Sequence, residues 1–341
     1  KYKKRSCFFM KTLIIAEAGV NHNGSLSLAK KLIIAAKKCG ADIIKFQKFK
    51  ADNLATKFAK LADYQKENFK KNLQYKMLKR LELKDQDYKE LYKFSKKNKI
   101  YFLCSCFDEE SLRFLRFTKN RIIKIPSGEI TNLPLLKYAG SLKKKIVLSS
   151  GMSTINEISF ALKTLIKSGT RKKNITLLHC NTDYPTKLQD VNLRAFEELK
   201  NKFGLRLGYS DHTISQEVPM IAVALGAKVI EKHFTINKNL RGPDHKASFN
   251  PDEFKTLVKN IRNIEIILGK NKKFVTNSEK KNKLLVRKSL VARIKITRGE
   301  KFSKNNLAIK RPGYGISPVK YYEILGKRSK YNFKPDELIK L

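Results

Sequence analysis

The sequence predicts an α/β protein, a closed (β/α)8 barrel followed by a small, mainly β domain. Three observations carry that prediction. Short β-rich runs alternate with amphipathic, helix-period stretches over the N-terminal four-fifths of the chain. Most of the runs stay apolar until their last residues, as parallel strands buried on both faces must. The 341-residue length exceeds a typical single domain, and the stretch left after the alternation ends is too short for another β/α set. An open doubly wound sheet is the alternative arrangement of the same pattern.

The runs, in order, are Thr12–Ala18, Asp42–Gln47, Tyr101–Phe107, Ile122–Ser127, Lys145–Gly151, Ile175–Asn181, Arg206–His212 and Lys228–Thr235. Eight β/α units of this size match a closed barrel. Helical stretches between them include Leu26–Cys39, Glu109–Thr118, Ile155–Lys167 and Val191–Lys202, and Phe254–Leu268 ends the series. Asp108 and Thr154 stand where N-caps belong, and Gly40, Gly169, Gly204 and Gly226 where helices stop. The connection Phe49–Leu83 is much longer than the rest, and extra helices near the barrel mouth are expected there. Residues 1–9 are basic without a signal-type apolar core, so they read as an upstream extension before a barrel spanning 10–269. Gly269–Lys283 is polar and without periodicity; residues 270–285 read as a linker and 286–341 as the small β domain. That domain holds strand-like Ser289–Ile296, a turn at Thr297–Glu300, and Ala308–Tyr314 running into a Gly-Tyr-Gly loop.

Composition narrows the function classes. Apolar residues make up 41% of the chain, enough for a large core, yet no apolar run reaches membrane-spanning length. The five cysteines are odd in number and lack metal-ligand or redox spacing, which points to a reducing cytoplasm. A net charge of +44 raises nucleic acid or an anionic membrane as a partner. The basic residues are, however, mostly Lys and spread over every helix, without an aromatic-interleaved basic motif, so solvated lysine faces are the preferred reading. An anionic substrate would still gain from the field.

In a barrel of this kind chemistry sits at the C-terminal strand ends. The polar residues there are Glu17 and the loop Asn21–Gly24; Lys45 and Gln47; Lys124, Ser127 and Glu129; Ser149, Ser150 and Gly151; His179, Asn181, Thr182 and Tyr184; Ser210, Asp211 and His212; and Lys232 and His233. Lysines, serines and glycine-rich turns on one rim suit a phosphate. His212 and His233 lie one helix-plus-strand unit apart, so on neighbouring parallel strands their imidazoles would sit side by side and offer a divalent metal open positions. Glu17 and Glu129 then stand as base or substrate anchor. Each has a bland counterpart: a solvated rim lysine, a satisfied core histidine, Ser127 and Ser149 as helix caps, Asp211 as a mere orienter of an imidazole. His179 and Cys180 are strand neighbours that point to opposite faces and do not form a joint site. The roles of His22 and His245 in loops stay open.

Resemblance adds what spacing does not. Ile15-Ala16-Glu17-Ala18-Gly19-Val20-Asn21-His22-Asn23-Gly24, Lys45-Phe46-Gln47, Lys124-Ile125-Pro126-Ser127-Gly128-Glu129, Leu148-Ser149-Ser150-Gly151-Met152, His179-Cys180-Asn181-Thr182-Asp183-Tyr184-Pro185, Ser210-Asp211-His212-Thr213 and Gly242-Pro243-Asp244-His245-Lys246-Ala247-Ser248 resemble the sialic acid synthase family. Lys310-Arg311-Pro312-Gly313-Tyr314-Gly315-Ile316 is similar to that family's antifreeze-like (SAF) domain, and the order holds along nearly the whole chain from Met10. The resemblance implies a TIM barrel that condenses phosphoenolpyruvate with an open-chain N-acetylated amino sugar, typically N-acetylmannosamine, giving a nonulosonic acid and phosphate. It implies a divalent metal, manganese or magnesium, on His212 and His233. Lys45, Lys124, Ser127, Ser149, Thr182 and Ser210 would hold phosphoenolpyruvate; Glu17, Gln47, Tyr184 and Asp244 would contact the sugar; Glu129 would be the general acid/base, with Glu17 beside it as a second catalytic candidate. Family dimers are domain-swapped, so Arg311 would reach the sugar in a partner's site.

Three departures from the family pattern stand out: Lys48 after Lys-Phe-Gln, Lys187-Leu188 after Tyr-Pro-Thr, and Arg241 before Gly-Pro-Asp-His. Arg241 lies beside the sugar loop and bears on which sugar is used. Gly-Pro-Asp-His-Lys-Ala-Ser resembles the neuraminic and legionaminic branches more than the pseudaminic one, so a diacetamido-trideoxyhexose is the rival substrate. A rival of another class, a basic protein that binds nucleic acid or polysaccharide without turnover, fits poorly with the presence of Glu129, His212, His233 and Arg311.

Overall fold

The computed structural model describes residues 11–62 and 73–341, so the expected extension at residues 1–9 lies outside the described residues. The chain divides into two compact units, with the boundary between Gly269 and Lys270.

The first unit is a closed barrel of parallel strands in sequence order: β1 Leu13–Gly19, β2 Ile43–Lys48, β3 Tyr101–Cys106, β4 Ile122–Ile125, β5 Lys145–Ser149, β6 Ile175–Cys180, β7 Arg206–Asp211 and β8 Val229–His233. β8 pairs back with β1 from Leu13↔Val229 to Glu17↔His233, which closes the sheet and excludes the open alternative. β3 to β8 end one or two residues short of their runs, where the chain turns into the rim loop, whereas β1 and β2 each extend one residue past theirs.

Alternation along the strands sorts the side chains. Outward-facing residues such as Ile14, Ala16, Ile44, Phe46, Leu148 and Leu177 join the helices in the main core. Inward, Ile15, Ile43, Leu103, Val147, Leu178 and Val229 form an apolar plug low in the barrel. The next inward positions toward the C-terminal ends are Glu17, Lys45, Ser105, Lys124, Ser149, Cys180, Ser210 and Glu231, so a polar layer rests directly on the plug.

The helices follow their sequence signals. Leu26–Lys38 starts at Ser25, whose side chain accepts from the Leu28 amide. Asp108 caps Glu109–Phe114, and a 3-10 turn, Leu115–Thr118, continues it. Thr154 and Glu157 form a capping box on Ile155–Lys167. Gly40, Gly169, Gly204 and Gly226 all have positive φ, as helix stops require. The long connection after β2 carries helices Ala51–Leu54 and Gln74–Leu81, with residues 63–72 outside the described set.

The expected linker is not structureless. Helix Asn277–Val286 runs through it, started by a capping box of Thr276 and Glu279, and every residue of it is exposed within this unit. Its weak amphipathicity hid it, whereas the Thr-x-x-Glu pair was the available signal. In the second unit β9 Ser289–Ala292 pairs antiparallel with β10 Leu307–Lys310 around a core of Leu290, Ile296, Phe302, Leu307 and Phe333.

Candidate active site

A cavity of about 460 Å³ opens over the polar layer. Thirteen of the fourteen residues to which the family resemblance gives a role line it: Glu17, Lys45, Gln47, Lys124, Ser127, Glu129, Ser149, Thr182, Tyr184, Ser210, His212, His233 and Asp244. Arg311 lies in the second unit, exposed, just after β10.

The floor is an alternating charge array. The Cα register sets His233, Glu17 and Lys45 side by side across β8, β1 and β2. Lys45 Nζ lies 2.8 Å from Glu17 Oε2 and donates to Ser105 Oγ at 2.8 Å. Lys124 Nζ donates to Ser149 Oγ at 2.7 Å. Between the two lysines sits Glu231, a residue the sequence reading missed. Its Oε1 is 3.5 Å from Lys45 Nζ and 3.7 Å from Lys124 Nζ, and it accepts from Ser210 Oγ at 3.0 Å. The signal was present: Glu231 stands two residues before His233 and must share its face. All four charged groups are at most 4% exposed, so their ionisation depends on each other. Burial opposes charge on Glu231, yet Lys124 and Lys45 outweigh it and hold its pKa below the usual carboxylate value. Burial lowers Lys124, with Glu231 only partly opposing, whereas for Lys45 the two carboxylates overcome burial and raise it. Burial raises Glu17 despite Lys45.

Ser127 and Ser149 cap no helix. Ser127 Oγ accepts from the Gly151 amide at 3.0 Å and lies 3.3 Å from Cys180 Sγ. Gly151 is required there by close approach: a Cβ would meet Thr182 Cγ2 at 2.6 Å and Ser127 Oγ at 2.9 Å. Glu129, at the mouth, accepts from Asn132 Nδ2 at 2.6 Å, and burial raises its pKa. Gly19, at φ 52°, brings the backbone close to Gln47, Glu17 and Asp244 together. Burial and the nearby Glu17 push Asp244 up to about 7.

The two imidazoles meet as the spacing suggested, with ring centroids 5.3 Å apart. Tyr184 stacks on His212 at 4.1 Å. His212 Nδ1 donates to the Asn181 carbonyl oxygen, which makes Nε2 the lone-pair nitrogen, with Ser210 Oγ 3.4 Å from it. His233 Nδ1 is buried without a hydrogen-bond partner. Burial keeps both rings neutral, His212 at about 4 and His233 well below its usual value, so the 3.8 Å approach of His233 to Asp244 is not an ion pair. Two neutral, convergent imidazoles with an orphaned nitrogen fit a divalent cation. Among the described residues no group of three or more His, Cys, Asp or Glu comes together as a metal cage.

Other rim candidates fall away from the cavity. Lys232 points outward between the sheet and the helices, where Nζ pairs with Asp211 Oδ2 at 2.6 Å, both side chains fully buried. Asp211 therefore anchors a lysine and the Thr213 amide and orients no imidazole. His179 also faces outward, against Phe196 and Tyr209, while Cys180 faces in. His22 Nδ1 accepts from the Gly24 amide, and His245 bonds Thr235 Oγ1 at 2.7 Å and Asn23 Oδ1 at 3.3 Å; both brace the rim loops. Lys48, one of the departures, is turned outward to Asp85 at 2.7 Å and to the faces of Tyr88 and Phe114.

The NeuB family pattern matches residues 32–273, and the SAF domain pattern matches residues 287–341. The chain belongs to the NeuB family. It is 53% identical over 331 residues to an N,N'-diacetyllegionaminic acid synthase of Campylobacter jejuni, covering 97% of this chain and 99% of that protein. It is 45% identical to an N,N'-diacetyllegionaminic acid synthase of Legionella pneumophila, covering 95% and 92% respectively. Among solved structures, N-acetylneuraminic acid synthetase from Leptospira borgpetersenii, in complex with citrate, superposes with a TM-score of 0.70 at 34% identity, covering 80% of this chain and 90% of that one.

Proposed function

We propose that this NeuB-family synthase condenses phosphoenolpyruvate with water and an open-chain 2,4-diacetamido-2,4,6-trideoxyhexose, giving a legionaminic-type nonulosonic acid and inorganic phosphate. The observation that carries the reaction is the single cavity in which a buried lysine pair, Lys45 and Lys124, faces the histidine pair. The two legionaminic acid synthase relatives favour the trideoxy sugar over N-acetylmannosamine.

Lys45 and Lys124, with Ser127, Ser149, Thr182 and Ser210, supply a donor-rich floor for the carboxylate and phosphate of phosphoenolpyruvate. Glu17, Gln47, Tyr184 and Asp244 present acceptors and donors to the sugar's hydroxyl and amide groups. C3 of phosphoenolpyruvate forms the new bond to the sugar aldehyde carbon, whose oxygen takes up a proton. Water oxygen then bonds to C2, and the C2–O bond to phosphate breaks. Glu129, whose carboxyl keeps its proton further up the pH scale than an exposed one, is the group to hand protons to and from these oxygens. A divalent cation on His212 and His233, manganese or magnesium, supplies Lewis-acid polarisation of the aldehyde when bound. A domain-swapped dimer that brings Arg311 to a partner's sugar completes the proposal, in a reducing cytoplasm where cysteines stay free, as the four described ones are. Among the described residues no helix is long and apolar enough to cross a membrane.

The test is phosphate release from phosphoenolpyruvate with manganese present. Release is expected with the diacetamido-trideoxyhexose, weaker release with N-acetylmannosamine, and none without sugar. Absence of sugar-dependent release with these and with the pseudaminic precursor would refute the reading.

A further inference from the structure

The cavity has two chemically distinct walls. The side formed by the ends of β4 to β7 is polar. The side beyond β1 and β2 is largely apolar, lined by Val20, Leu54, Met77, Leu78, Leu81 and Phe107, with Gln74 the polar residue among them. Val20 leaves β1 three residues after Glu17, and the next four come from the long β2–β3 connection. On helix Gln74–Leu81, Met77, Leu78 and Leu81 share one face and are 2%, 9% and 4% exposed. They pack on Val20, Phe49, Ala51 and Leu61 in a satellite core separate from that of the barrel. The wall is fixed in place: the Ala51 amide donates to Glu82 Oε2 at 3.0 Å, and Tyr75 Oη and Lys79 Nζ bond Asp52 at 2.6 and 3.1 Å.

We propose that this wall sets sugar specificity, receiving the methyl-bearing end of the sugar chain and disfavouring a hydroxyl or phosphate there. The inference rests on the proposed reaction, because that reaction orients the sugar. With the aldehyde at His212 and His233 on β7 and β8, a chain passing Glu17 on β1 and Gln47 on β2 reaches the apolar wall with its far end. A C6 methyl loses nothing against Met77, Leu78 and Leu81. A hydroxyl packed against these three side chains would give up its hydrogen bonds to water, and a phosphate would bury charge against apolar surface. An apolar pocket separates such analogues by about 10- to 100-fold, not more.

The experiment compares kcat/KM for the diacetamido-trideoxyhexose with that for N-acetylmannosamine. The parent chain, Leu78→Asn, the less buried Leu54→Asn and the volume-conserving Met77→Leu are assayed, with KM for phosphoenolpyruvate and circular dichroism as controls. Leu54→Asn or Leu78→Asn is expected to narrow the sugar ratio by about tenfold, through KM for the trideoxy sugar, with KM for phosphoenolpyruvate unchanged. Met77→Leu keeps the ratio. A folded Leu54→Asn with an unshifted sugar ratio would overturn the specificity role while leaving the reaction standing. No turnover of either sugar by the parent chain would instead overturn the reaction and this inference with it.

Discussion

Glu231→Gln tests whether the floor of the cavity is an electrostatic unit. The substitution keeps shape and a donor–acceptor end but removes the one negative charge shared by Lys45 and Lys124. At the observed separations of 3.5 and 3.7 Å each attraction is worth about 4–5 kcal/mol at an effective dielectric of about 20. The two do not add, because Glu17 still holds Lys45 and because Lys124, already lowered by burial, sheds its proton more readily once Glu231 is neutral. The expected loss is that of breaking one buried pair, about 3–5 kcal/mol. For a unit of this size that is a fall in thermal midpoint of at least about 6 °C. The assay is a melt of parent and variant with and without inorganic phosphate. An anion replaces the missing charge, so phosphate must raise the variant's midpoint more than the parent's. A variant as stable as the parent, or phosphate stabilising both equally, would refute the shared-charge account.

Two further outcomes follow from the imidazoles. His233→Ala removes a buried nitrogen that lacks any hydrogen-bond partner, so the fold should survive while turnover disappears; manganese binding by calorimetry should weaken at least tenfold, and comparable activity would exclude the metal assignment. His22 and His245 are held neutral to about pH 4 by burial, with the neighbouring His245 adding to the effect on His22. Between pH 6.5 and 4 the unfolded chain therefore binds protons that the folded chain does not, and stability must fall as pH drops through that window. For the fully buried His22 the loss is about 3 kcal/mol by pH 4, and urea midpoints of the parent and His22→Asn across this range check it.

Most of the barrel was legible because its physics is local. A strand buried on both faces must be apolar, and a helix must start and stop, so the runs, Asp108, Thr154 and the positive-φ glycines could be read directly. What escaped depended on which way a side chain turns. Lys232 and Glu231 are neighbours on one strand, and the lysine was read as a rim candidate while the glutamate was not; in the closed barrel the glutamate faces the cavity and the lysine faces outward. The registry argument that separated His179 from Cys180 would have separated these two as well. Helix Gln74–Leu81 was expected only as an extra element, because nothing in its own residues tells which cavity an apolar face will line.

The polar layer also explains how a barrel can keep so many buried charges. Lys45 and Lys124 stand against Glu17 and Glu231, two positive and two negative groups, so the floor is close to neutral before any ligand arrives. An isolated pair of buried lysines would be costly, and the apolar plug directly beneath offers them no solvent. The carboxylates hold the lysines charged and in place, with serines at 2.7 and 2.8 Å fixing their direction. An incoming anion therefore finds donors already oriented, and must compete with Glu17 for Lys45 and with Glu231 for both lysines. Glu17 is the weaker competitor, since burial raises its pKa while Glu231 is held ionised. An anion therefore displaces Glu17 from Lys45 more readily than it displaces Glu231, and the clamp of Glu231 on both lysines can stay in place as it binds.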